Sequence, residues 1–142
     1  MDTHDKRYIF LLNIAQKSLQ RHIESSITDA HGLTAVQAGA LFILQHQDGL
    51  LIGEVADALN IAASAMTSLS DRMARSGLIS KQPDIHDKRS NRLWMTDPGR
   101  EAAIMAKKQL IPVNARLKEG FSEEEMVVVA RWLESIPPRF PS

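Results

Sequence analysis

Between Leu33 and Gly77 the chain is cut into short pieces by residues that start and stop helices, and that spacing limits what it can build. Thr34 and Gln37 form a capping box, in which each side chain satisfies the other's exposed amide. Val36, Ala40, Leu41, Ile43 and Leu44 then make an apolar face that stops before Asp48-Gly49, a strong turn signal. A short helix follows over about 53–59, with Val55, Ala56 and Leu59 inward. Asn60 closes it, a residue that tolerates the left-handed conformation of a helix end. A longer helix over about 63–76 carries Met66, Leu69 and Met73 as its core stripe and stops at Gly77. A short helix, a tight turn and a longer helix make the helix-turn-helix pattern.

The flanks complete the element order. Upstream, Tyr8, Leu11, Leu12, Ala15, Leu19, Ile23 and Ile27 recur at mostly three- and four-residue steps, which predicts one helix over about 8–30 ended by Gly32. Downstream, a strand over 78–82, a polar tip at Pro83-Asp84-Ile85-His86-Asp87 and a return strand over 91–95 predict a hairpin. Alternation puts Leu93 and Met95 on one face of it, and Arg92 and Trp94 on the other, where Trp94 stacks on Arg92 or packs on a neighbouring loop. Thr96 caps a long helix reaching about 119, which Pro112 should kink because proline lacks the amide donor. Ser122 and Glu125 form a second capping box, and Pro137-Pro138 ends the last helix. The expected order is α-α-α-α-β-β-α-α: a mainly α fold with a small β-hairpin wing (α+β), built as a winged helix-turn-helix between N- and C-terminal helices.

Bulk properties close off several functions. With 142 residues, 44% of them apolar, the chain suits one compact domain or two closely merged lobes, with a real core. It has no cysteine, so disulfides, thiolate metal sites and cysteine nucleophiles are excluded. No apolar run approaches the ~20 residues that span a bilayer. The charged start MDTHDKRYIF lacks a signal-peptide core, so a cytoplasmic location is expected. Walker loop, GxGxxG and Ser/His/Asp arrangements are absent, which predicts no enzyme and no cofactor. His4, His22, His31, His46 and His86 form no HxxxH or HExxH spacing. They read as surface or packing histidines, against a zinc site on His22, His31 and distant carboxylates, and no metal is expected. Net charge is zero, yet residues 71–92 hold six Lys/Arg (Arg72, Arg75, Lys81, Lys88, Arg89, Arg92) against Asp71, Asp84 and Asp87. That basic stretch is either a phosphate-facing surface or an ordinary solvated one.

Together these residues resemble the multiple-antibiotic-resistance regulator (MarR) family. The resemblance is carried by Leu33-Thr34 with Gln37, Val55-Ala56 with Leu59, Asp71-Arg72-Met73 with Gly77-Leu78, and Asp84, Asp87-Lys88-Arg89, Leu93, Thr96 and Gly99. It implies a winged helix-turn-helix lobe over 34–97, and a dimerisation lobe from 1–33 and 98–142. It also implies a homodimer of triangular outline on double-stranded DNA at a near-palindromic operator, usually as a repressor. Regulation by a small aromatic or anionic ligand between the lobes belongs to the same resemblance. The 63–76 helix would enter the major groove and the wing tip would approach the minor groove.

Physical chemistry supports those roles. A helix fits the major groove and its N-terminal residues reach base edges. Here they are Ala63, Ser64, Ala65, Met66, Thr67 and Ser68, though a methionine in the place of Met66 is more often core than base reader. Arg72, Lys88 and Arg92 are candidates for phosphate, Ser90 for the wing contact, and Arg89 matches the family's wing arginine. Arg72 has a plainer role open to it, an ion pair with Asp71. Asp87 reads as the structural partner that shapes the tip. Two departures from the family pattern stand out: Ile52 and Ala62 occupy places where a capping side chain is usual. No Arg, Lys, Asn or Gln occurs from Ala62 to Ser70, so affinity should lean on phosphates and the wing. Tyr8, Ile9, Leu12, Leu110, Ile111, Val113, Val127 and Trp132 exceed what one small core covers, which predicts a two-fold dimer with recognition helices ~34 Å apart. The competing readings are a monomer with a large core and a winged helix that docks proteins.

Overall fold

The computed structural model describes residues 7–31 and 33–141, those from 26 to 31 by backbone alone. Gly32, expected to end the first helix, lies outside the described residues, as do His4 and the side chains of Ile27 and His31. The chain divides into two compact units, residues 1–109 and 110–142.

In the first unit the elements are α1 (Tyr8–His31), α2 (Ala35–His46), β1 (Leu50–Leu51), α3 (Ile52–Leu59), α4 (Ala63–Arg75), β2 (Ile79–Pro83) and β3 (Asn91–Met95). Next comes α5 (Asp97–Lys118), which runs through Pro112 into the second unit. Both halves of the predicted capping box form at α2: Thr34 Oγ1 accepts from the Gln37 amide and Gln37 Oε1 from the Thr34 amide, each at 3.1 Å. Asn60 takes the left-handed conformation (φ 55°, ψ 47°) and closes α3. The core of this unit is the helix-turn-helix itself: Leu41, Leu44, Val55, Met66, Met73 and Leu93 are fully buried.

The sheet departs from the expected hairpin. It has three antiparallel strands in the order β1-β3-β2, with Leu50 opposite Leu93 and Leu51 opposite Arg92. Two residues are too few for alternation to reveal β1. What sets it is a distant contact, since Asp48 Oδ1 accepts from both the Gly49 amide (3.1 Å) and the Met95 amide (2.8 Å). Gly49 is obligatory there twice over: its φ is +72°, and an added Cβ would fall 2.5 Å from the Trp94 ring. Of the two places open to Trp94, the loop is therefore the one it packs on. Pro83, assigned to the tip by sequence, ends β2 opposite Asn91; β2 is an edge strand, where a missing amide costs no ladder bond.

Helix α5 is docked through its own cap. Thr96 Oγ1 accepts from the Gly99 amide (3.1 Å) and donates to the Gly77 carbonyl (2.6 Å), while the Thr96 amide donates to the Leu78 carbonyl (3.2 Å). The approach is so close that a Cβ on Gly99 would lie 2.0 Å from the Leu78 oxygen.

The second unit holds the end of α5, then α6 (Glu123–Glu134) and α7 (Ile136–Arg139). Ser122 and Glu125 cap α6 reciprocally, at 2.9 and 3.1 Å. Those bonds to Ser122 hold the Glu125 carboxyl below its ordinary pKa. Helix α6 stops at Glu134, ahead of Pro137-Pro138 as the sequence suggested, but these prolines open a further short helix and do not end helical structure altogether. They sit in the first turn of α7, where amides have no partner inside the helix. Val113, expected to need a partner subunit, is buried within its own chain. Ile111, Leu117, Phe121, Val127 and Val128 remain exposed in this unit, as do Tyr8, Ile9, Phe10, Leu11 and Ile14 on α1.

Candidate nucleic-acid interface

The recognition-helix candidate presents two faces. Met66, Leu69, Ser70 and Met73 recur at helical spacing and are buried, and Ser70 Oγ donates to the Thr67 carbonyl (2.8 Å). Met66 therefore leaves the set of base-contacting candidates: it is fully buried and cannot reach DNA. Ala63, Ser64, Ala65, Thr67 and Ser68 are exposed on the first turns of the other face, with Arg72 and Arg75 toward the far end. Ala62, the N-cap, offers no side-chain acceptor, as the sequence implied, so the first amides of α4 stay open. Thr67 Oγ1 donates to the Ala63 carbonyl (3.0 Å), which leaves its lone pairs and methyl facing outward.

The wing is a turn held together by its own carboxylates. Asp84 Oδ2 accepts from the Asp87 amide (3.1 Å) and the His86 amide (3.3 Å), while its Oδ1 accepts from Arg92 Nε at 2.7 Å. The Arg92 guanidinium, first, and those amides hold the Asp84 carboxyl below the usual carboxylate range. Asp87 Oδ1 accepts from the Arg89 amide (3.1 Å) and Arg89 Nε (3.4 Å), and its Oδ2 from Ser90 Oγ (3.3 Å). Backbone bonds from the Asp84 amide to the Ser90 carbonyl (2.8 Å) and from the Ser90 amide to the Asp87 carbonyl (2.9 Å) close the loop.

Three basic residues are thereby sorted. Arg92, a sequence candidate for phosphate, is instead committed inside the sheet, since its Nη1 also donates to the Gly49 carbonyl at 2.7 Å. Lys81 is spent on Asp71 at 2.6 Å, a contact that lowers the Asp71 pKa and removes the acid from Arg72. Arg89 projects from the tip with 94% of its side chain exposed. Among the described residues Arg72, Arg75 and Lys88 carry no ion pair.

Helix and wing meet in one cleft of about 400 Å³, lined by Thr67 of α4, by Arg89, Ser90 and Asn91 of the wing, and by Leu51, Ile52 and Gly53 at the start of α3. Four of these, Leu51, Ile52, Gly53 and Asn91, were not among the sequence candidates. Asn91 read only as the first residue of a strand. Gly53 read as the start of α3, yet that helix begins at Ile52 with Leu51 as N-cap. The Leu51 amide is held by Glu54 Oε1 at 3.0 Å, and no side chain caps the following amides. Uncapped helix amides beside an arginine, a serine and an asparagine make a set of hydrogen-bond donors of the kind that suits an anionic oxygen.

A second cavity, of about 500 Å³, lies within the first unit between the start of α2, the end of α4 and the first turns of α5. Leu33, Leu78, Pro98, Ala102 and Met105 line it with Gln37, Ser76 and Glu101. Among the described residues no group of three or more His, Asp or Glu stands together so as to hold a metal ion. No helix of the described residues is long and apolar enough to cross a membrane.

Comparison with known proteins adds a lineage to this geometry. The model of the MarR family matches residues 31–90. The chain is 29% identical over 105 residues to the HTH-type transcriptional repressor MdtR of Bacillus subtilis (strain 168), covering 72% of this chain and 66% of the relative, just under two thirds of its length. It is 27% identical over 128 residues to the transcriptional activatory protein BadR of Rhodopseudomonas palustris, covering 87% of this chain and 70% of that one. Among solved structures, a mutant MarR from E. coli complexed with operator DNA shares the fold with a TM-score of 0.78 at 17% identity, over 89% of this chain and 90% of that one.

Proposed function

We propose that the chain is a transcriptional regulator of the MarR type, whose family model matches residues 31–90, and that it binds duplex DNA as a symmetric dimer and represses transcription without catalytic activity. The observation that carries this reading is the shared cleft, in which Thr67 on the helix-turn-helix and Arg89 on the wing face the same space. One backbone strand of a duplex seated there meets the open amides of α3 and α4. Arg89 continues from it into the minor groove, where a narrow A·T-rich segment concentrates negative potential. Ser64, Thr67 and Ser68 face the major groove with short side chains, so base readout from α4 is sparse and affinity leans on phosphate contacts from Arg72 and Lys88 together with Arg89 at the wing.

Dimerisation rests on the exposed apolar residues at both ends of the chain. Ile9 and Ile111 are 80% and 66% exposed, more apolar surface than a subunit leaves in water without a partner. Tyr8, Val127 and Trp132 extend those surfaces, with Leu12 and Leu110 half-buried, and 1–33 with 98–142 act as the dimerisation lobe and 34–97 as the DNA-binding lobe. Function in the cytoplasm follows from that role. One curated relative is named a repressor and the other an activatory protein. Repression is the reading for an operator that overlaps the promoter.

The cavity beside α5 suits a small ligand that resets the spacing of the two recognition helices. Its lining is apolar except for Gln37, Ser76 and Glu101, and Glu101 is its one charged side chain among the described residues. That chemistry favours an aromatic ligand over an anionic one.

Titration of duplex DNA at graded salt tests the reading. Affinity is expected to fall about a hundredfold or more between 50 and 200 mM salt, as released counterions require. Indifference to duplexes in dilute buffer would overturn it, and salt-insensitive capture of a protein would favour the docking alternative.

A further inference from the structure

Ile85 is 90% exposed, more than any other large apolar side chain among the described residues. It stands in the wing loop, second in the turn from Asp84 to Asp87. That turn is not loose: both amides beyond Ile85 are bonded to the Asp84 carboxylate, which is itself anchored by Arg92. A branched side chain with a stiff χ1 is thus held outward on a fixed support. Lys88 and Arg89, both exposed, follow three and four residues on, and with Arg92 they outnumber Asp84 and Asp87 by one charge, so the wing is weakly cationic. Nothing in the wing's own packing uses Ile85.

We propose that Ile85 is a specificity-determining apolar contact. It packs against the deoxyribose walls of the minor groove that Arg89 enters, beside A·T rather than G·C pairs. The partner follows from the wing's one excess positive charge and from its continuity with the helix-and-wing cleft, which together favour a polyanion over a basic protein surface. The preference for A·T follows from the groove, whose floor is crossed by the guanine amino group only at G·C pairs. Architectural proteins also place isoleucine and similar side chains in this groove, there as wedges between base steps. The inference rests on the DNA-binding reading above, and its test separates the two.

The experiment compares the full chain with Ile85→Ala and Ile85→Met on one selected duplex at several salt concentrations. Burying most of an isoleucine against sugar is worth about tenfold in affinity per wing, so Ile85→Ala is expected to bind about tenfold more weakly per wing at every salt concentration. The slope of affinity against salt should not change, because no charge is lost. Ile85→Met, which keeps the apolar bulk, should recover most of the affinity. Replacing guanine by inosine under the wing should relieve a G·C penalty in the parent chain and leave Ile85→Ala unaffected. Parent-level affinity of Ile85→Ala on a duplex that the parent holds tightly would overturn the contact. So would a loss confined to low salt, which would mean that the substitution acts by displacing Arg89. A parent chain that binds no duplex would overturn the reading beneath it.

Discussion

Replacing Arg89 by alanine should nearly abolish operator binding while leaving the fold intact. The side chain is 94% exposed and its one internal contact is a 3.4 Å approach of Nε to Asp87, so its removal should shift stability by no more than about 0.5 kcal/mol. In the complex the guanidinium loses water to a narrow groove, and a contact of that kind is worth about 2 kcal/mol, or about 30-fold per wing. Two wings engaged at once bring the loss on a whole operator to about three orders of magnitude. The salt slope should become shallower by about one counterion per wing. Arg89→Lys should recover only part of the affinity, since a compact, strongly hydrated ammonium does not fill the groove as a planar guanidinium does. Labelled-duplex titration of the three proteins decides it. Equal affinities would move the energy of binding off the wing.

Replacing Gly99 by alanine should cost about 3 kcal/mol or more of stability, beyond the usual overpacking penalty. The added Cβ would stand 2.0 Å from the Leu78 carbonyl oxygen and 3.1 Å from its carbon, both backbone atoms that cannot turn aside. Relief requires α5 to lift away from the exit of α4. That movement breaks the bonds that Thr96 makes to Gly77 and Leu78. Urea unfolding at fixed protein concentration measures the loss, with Gly53→Ala as the control. Gly53 also lies in a helix, but a Cβ there meets nothing within 4 Å. Its replacement should be neutral or slightly stabilising, because alanine restricts the unfolded chain more than glycine does. A loss below about 1 kcal/mol for Gly99→Ala would contradict the close docking of α5.

What the sequence disclosed and what it hid divide along the length scale of the interactions. The caps at Thr34 and Ser122 and the left-handed Asn60 depend on residues within a turn of each other, and all three form as read. So does the inward stripe of α4, where spacing alone places Met66 with Leu69 and Met73. Counting Met66 among base contacts followed its place near the helix N-terminus, and the periodicity wins. Arg92 was misjudged for the opposite reason. Its acceptors are a carboxylate eight residues back and a carbonyl 43 residues back, and no local pattern announces the second. Strand β1 was hidden likewise, because Asp48 reads as a turn former while its carboxylate holds an amide 47 residues onward. Val113 shows the limit for interfaces. It and Ile111 look alike in the sequence, yet one is buried in its own chain and the other exposed.

The most direct test of a paired, DNA-reading molecule is selection of bound duplexes from a random pool by the full chain. The recovered sequences should share a near-palindrome, with half-sites about 10 base pairs apart centre to centre and A·T-rich segments at the positions that the wings reach. Recovery of a single unrepeated half-site, or of no enriched sequence at all, would contradict it.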